Sequence, residues 1–118
     1  MSTGYAEIVN APPNGKLKAG ECYTLRVNVS PNILSGYTPA KFGLGENAPL
    51  SLDVTVYAQD MDIAPSYHGM LRVQKNKAIV PVEFIVTPKR TGGKKIKVEF
   101  YHQRHWLSKI VFDLVVDK

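Results

Sequence analysis

One cysteine, Cys22, is too few for a disulfide within the chain, so a disulfide scaffold is excluded. No apolar run approaches the roughly 18 residues that a membrane-spanning helix needs. Met1 to Asn10 lack a basic stretch followed by an apolar one, so no secretory signal is expected there. Long uninterrupted helices are disfavoured too, because eight prolines and nine glycines cut the chain into short pieces. Acidic residues are outnumbered, 10 against 15 basic ones, which leaves a formal charge of +5.

What is abundant points one way. The 118 residues are 44% hydrophobic, enough for one ordinary globular core and too few residues for two. Thirteen Val and seven Ile favour a pleated, half-buried surface over a helix. Seven segments alternate apolar with polar residues: Ala6–Val9, Cys22–Ser30, Leu50–Gln59, Met70–Gln74, Ala78–Thr87, Lys94–His102 and Trp106–Asp117. Pro81 inside the fifth fits an edge or a bulge. Gln103-Arg104-His105 reads as a tight reversal, and Asp60 to Pro65 as a break. The expected fold is all-β: a two-sheet, immunoglobulin-like sandwich of about seven to eight mostly antiparallel strands, filling residues 1–118 as a single domain. By parity with Ile110 and Phe112, Trp106 is expected to be a partly buried plug at one end of the core, the alternative being a Trp that protrudes from the turn and anchors a partner.

Pro31 to Pro49 interrupts the pattern. A stretch of this length without regular structure is often functional in a compact domain. Its apolar residues Tyr37, Phe42 and Leu44 are the candidate anchors for a protein partner. The second candidate site is basic. Lys89, Arg90, Lys94, Lys95 and Lys97 gather at one turn, and such a cluster can hold phosphates of a nucleic acid or another anionic surface. An exposed strand edge offers a third route, pairing with another chain, including a second copy as an edge-strand homodimer.

Catalytic and metal chemistry find little support. Cys22 has an acidic neighbour in Glu21, an unfavourable setting for an activated thiolate. No Gly-x-Ser-x-Gly elbow is present. Gly43-Leu44-Gly45 lacks the third glycine and following helix of a dinucleotide loop. His102 and His105 can face each other across a turn, and Asp60, Asp62 and Glu46 could share a loop. Neither set has the ligand number or spacing of a metal site. No enzyme activity, metal or cofactor is expected.

The last third also carries a resemblance. Phe84-Ile85-Val86-Thr87-Pro88, Gly92-Gly93 leading into Lys94–Tyr101, and Trp106-Leu107 leading into Ile110–Val116 resemble the final three strands of immunoglobulin-like sandwiches. The inter-sheet cysteine pair and central Trp of antibody domains are absent. The same segment looks like accessory β-sandwiches of large bacterial multidomain signalling proteins, which join caspase-like or TIR-like effectors or NTPase switches to small recognition modules. That resemblance implies a non-catalytic interaction module within a longer cytoplasmic chain. Its partner would be a protein or a neighbouring domain of the same chain. Nucleic acid is the alternative partner, and no membrane is expected.

Overall fold

A computed structural model describes residues 2–30, 40–42, 50–74, 77–78 and 80–118. Among the described residues eleven strands follow one another: β1 (Ser2–Ile8), β2 (Lys16–Lys18), β3 (Tyr23–Ser30), β4 (Ala40–Phe42), β5 (Leu50–Ala58), β6 (Met61–Ala64), β7 (His68–Gln74), β8 (Lys77–Ala78), β9 (Val82–Pro88), β10 (Gly92–His102) and β11 (His105–Asp117). They form a five-stranded sheet ordered β4-β1-β3-β9-β6 and a six-stranded sheet ordered β2-β11-β10-β5-β7-β8. All pairings are antiparallel except β11 with β2. The expected two-sheet β-sandwich is the observed one. Its long strands β1, β3, β5, β7, β9, β10 and β11 are the seven alternating segments, and four strands of two to four residues are added at the sheet edges.

Alternation places the core. On β3, Tyr23, Leu25, Val27 and Val29 are buried and the residues between them are half-buried. On β5, Leu52, Val54, Val56 and Ala58 are buried, and on β10, Ile96, Val98 and Phe100. Apolar side chains from both inner faces meet between the sheets, and each fully buried one contributes on the order of 1.5–3 kcal/mol.

Two glycines set how closely the sheets approach. A Cβ at Gly4 on β1 would lie 2.7 Å from Cζ of Phe100, which belongs to the other sheet. A Cβ at Gly69 on β7 would lie 2.8 Å from Val82 and 3.0 Å from Cζ of Phe84, again across the sandwich. Each sheet thus sets a phenylalanine ring against bare backbone of its opposite. Both rings are buried and have no open space to retreat into.

Three expectations are corrected. β1 starts at Ser2 rather than Ala6. Gly4, within the added residues, is where the Phe100 ring approaches the backbone. Pro81 precedes β9, which begins at Val82, so the segment Ala78–Thr87 divides between β8 and β9. The break at residues 60–65 holds a strand: β6 pairs with β9 from Met61↔Pro88 to Ala64↔Ile85. Asp60, at φ 52°, turns the chain out of one sheet and into the other. Asp tolerates this left-handed conformation better than most residues.

The β10–β11 hairpin closes on Gln103 and Arg104, at φ 50° and 70°. Two successive positive φ values suit a two-residue hairpin loop, a place where Asn-Gly is the favoured pair.

Two outcomes are expected. Gly4→Ala and Gly69→Ala each lower stability by about 1–3 kcal/mol despite alanine's better strand propensity, as read from denaturant midpoints. Replacing Gln103-Arg104 by Asn-Gly raises stability by about 1 kcal/mol or more in the same assay.

Candidate recognition face

The basic turn is largely neutralised from within. Lys89 Nζ lies 2.9 Å from Asp62, Lys94 Nζ 2.8 Å from Asp60, and Lys95 Nζ 3.0 Å from Asp113. Lys97 Nζ is 3.6 Å from Glu99 and 5.8 Å from the centroid of the Tyr57 ring. Arg90 is exposed at the turn between β9 and β10. Lys94 donates to Asp60 Oδ2 and holds that carboxyl below its ordinary value of 3.8, helped by the positive field of Lys94, Arg90 and Lys89. The Asp60 carbonyl also accepts the Lys89 N–H at 2.9 Å. Lys89 and Lys94 therefore brace the corner where the chain changes sheets.

The other candidates place as follows. Tyr37 and Leu44 lie outside the described residues. Phe42 enters through its backbone, which pairs with Ser2, and its side chain lies outside the description. Cys22 is exposed and its Sγ accepts the Thr87 hydroxyl at 3.3 Å. His102 and His105 do face each other across the hairpin turn. Among the described residues no group of three His, Cys, Asp or Glu side chains gathers to hold a metal ion. Asp60 and Asp62 each bind a lysine.

A different surface stands out: the outer face of the six-stranded sheet. Its construction depends on one irregularity. Phe100 pairs with Ser108, but Tyr101 pairs with Trp106, so Leu107 is an extra residue on β11. A bulge of this kind reverses the parity of the strand beyond it. Leu107 packs against the core and Trp106 swings outward beside Tyr101, 53% exposed. The expectation of a buried Trp106 is corrected by this bulge. Counting back across the two-residue turn, with Tyr101 outward, would have placed Trp106 outward as well. Counting up from Ile110 places it inward, and that conflict is the sequence signature of the bulge.

Register assembles the rest. Tyr101 sits beside Asp53, and Asp53 beside Met70. Glu99 sits beside Thr55, and Thr55 beside His68; Lys97 sits beside Tyr57. Tyr57 is 60% exposed and Met70 57%. The Trp106 indole N–H donates to Glu99 Oε2 at 3.0 Å, while Glu99 Oε1 faces Lys97. His68 Nε2 and Asp53 Oδ1 are 3.2 Å apart. Where β7 stops short of the end of β5, an open groove of about 530 Å³ is lined by Tyr57, Tyr67, Met61, Ile63, Lys97 and Glu99. Chemically the face can stack and bury aromatic rings while offering a few fixed polar atoms.

No protein-family model matches the chain, and no curated protein matches it. Among solved structures the chain is similar to a lipoprotein from Bacteroides thetaiotaomicron, whose structure was determined by solution NMR. The two share 14% identity over 98% of this chain and 81% of that one, with a TM-score of 0.48. Similarity at that level specifies no activity.

A pH dependence follows from Asp60. Its carboxyl is lowered in the folded chain, so its contribution is fully present above the ordinary value of 3.8 and is lost as pH falls through the lowered one. Asp60→Asn should flatten the acid side of a plot of urea midpoint against pH below about 4 and leave its slope at neutral pH unchanged.

Proposed function

We propose that this chain is a non-catalytic recognition domain that docks a protein partner, or a neighbouring domain of its own chain, through the outer face of the six-stranded sheet. The observation that carries the reading is the outward Trp106, set with exposed Tyr57 and Met70 on one face. Trp, Tyr and Met are enriched where proteins meet, and a few such residues usually supply most of the binding energy. The bulge supports the reading, because Trp106 is held out by backbone geometry and not left out for want of room. The setting we propose is an accessory domain of a larger bacterial cytoplasmic protein, consistent with a lone cysteine.

The alternative is binding of nucleic acid or another anionic surface at Lys89, Arg90, Lys94, Lys95 and Lys97. It is the weaker reading, because four of these five cations already face a carboxylate. It requires binding that falls steeply with salt.

The test compares the wild-type chain with Trp106→Ala and Tyr57→Ala. Both residues are more than half exposed, so the variants should melt like the wild type. A partner recovered with the wild type should bind Trp106→Ala about 30-fold or more weakly, measured by titration calorimetry. Lys89→Ala should bind that partner normally. Partner affinity indifferent to both aromatic substitutions would sink the proposal, and tight, salt-sensitive binding of a mixed oligonucleotide would install the alternative.

A further inference from the structure

The groove at the end of β5 contains an unused rung of the sheet. β7 pairs with β5 from Leu50↔Val73 to Thr55↔His68, and a bond from the Val56 N–H to the Tyr67 carbonyl, 2.8 Å long, closes that pairing. The preceding strand, β6, belongs to the other sheet. β5 itself runs on to Ala58, held on its other side by β10. Backbone groups of an antiparallel strand point alternately toward its two neighbours. The Gln59 N–H donates to the Lys95 carbonyl at 3.1 Å, on the β10 side, and the Val56 N–H points to the β7 side. By either count the Ala58 N–H and C=O point into the groove. Among the described residues neither has a backbone partner there. Leu50 and Gln74, where the described chain breaks off on these two strands, lie at their far ends. At the usual strand rise that is about 25–30 Å from Ala58.

A segment seated against Ala58 takes its side-chain directions from β5, because directly opposed residues share a face. The residue opposite Ala58 points inward, onto Met61 and Ile63, which pack against the core and line the groove. That position calls for an apolar side chain. Its neighbour, opposite Tyr57, points outward beside the Tyr57 ring. Tyr67, 64% exposed, stands where β7 begins, so the segment leaves the sheet at that point.

Charge selects the outward residue. Lys97 lines the groove, its Nζ 5.8 Å from the centroid of the Tyr57 ring. Its side chain is 40% exposed, against 21% for Glu99. One Glu99 oxygen is taken by the Trp106 indole, and the other faces Lys97 at a long 3.6 Å. The groove therefore offers its visitor an ammonium, and the complementary side chain is Asp or Glu. Both neighbours of β5 run antiparallel to it. A segment continuing the line of β7 does the same, and meets Ala58 before Tyr57. Its order is an apolar residue followed by an acidic one.

We infer that this groove receives an extended peptide segment of a partner, added to β5 at Ala58 and carrying an apolar residue followed by Asp or Glu. The inference rests on the recognition reading of the same face and supplies the chemistry of the partner. Strand addition obtains affinity from main-chain bonds and selectivity from alternate side chains, and both are provided for here. A sugar, or a single ring from a folded surface, would fill the groove and leave the Ala58 groups unpaired.

Panning a phage-displayed library of random short peptides on the 118-residue chain tests it. Enriched sequences should share the apolar–acidic pair in that order. A synthetic peptide bearing it should bind Ala58→Pro, which lacks the N–H, about tenfold or more weakly by fluorescence anisotropy. Lys97→Glu should weaken it similarly and prefer the peptide with Lys in place of the acid. In the free wild type the Ala58 amide should exchange with solvent faster than that of Val56, and the peptide should protect it. This reading by NMR decides the matter should Ala58→Pro fail to fold. A library without the apolar–acidic pair overturns the inference, as does binding indifferent to Lys97→Glu, or an Ala58 amide that the peptide leaves unprotected. Each of these can occur while a partner still depends on Trp106, in which case the recognition reading stands and the strand addition falls.

Discussion

The contact on which the rest depends is a ring against bare backbone, made twice and in opposite senses. Phe100 reaches from the six-stranded sheet to Gly4, and Phe84 reaches from the five-stranded sheet to Gly69. Sheets in a sandwich pack about 10 Å apart, and the side chains between them must fill that gap without excess. Here two large rings fit because the residues facing them have no side chain. The arrangement fixes spacing and also relative position, since either sheet sliding along the other would drive a ring into a neighbouring Cβ. Val54, Val98, Leu25 and Leu71 belong to the same buried core.

The fixed sandwich gives the strand irregularities their meaning. At Asp60 the chain leaves one sheet for the other, and Lys94 and the Lys89 backbone hold that corner. At Leu107 one extra residue reverses the parity of β11, so the only tryptophan faces water. Each feature occupies a single residue; the first places the Asp60–Lys94 corner and the second turns Trp106 outward. Two cations of the basic turn, Lys89 and Lys94, pair with carboxylates at that corner. The aromatic residue that looks like core is the centre of a surface.

Much of the fold was legible because seven segments alternate cleanly over four or more residues, and alternation is the direct imprint of one buried face. Strands of two to four residues are too short to show a period, so β2, β4, β6 and β8 were not. Gly4 concealed the start of β1 because its role is visible only once Phe100 is placed against it. The surface proposed for recognition was not legible as one patch. Its members Tyr57, Met70, Glu99 and Trp106 come from four strands, and register, which sequence spacing does not determine, is what makes them neighbours. The anchors expected in the 31–49 segment rest on composition alone; Phe42 falls on β4, and Tyr37 and Leu44 lie outside the described residues.

Glu99 has a further consequence. One of its oxygens takes the Trp106 indole N–H and the other faces the ammonium of Lys97, which itself lies over Tyr57. A single carboxylate thereby restrains two aromatic rings before anything has bound. Ordering a side chain at an interface ordinarily costs roughly 0.5–1.5 kcal/mol of rotamer freedom. On this face much of that ordering is already done in the free chain, so a visitor meets a surface that has little left to lose by being held.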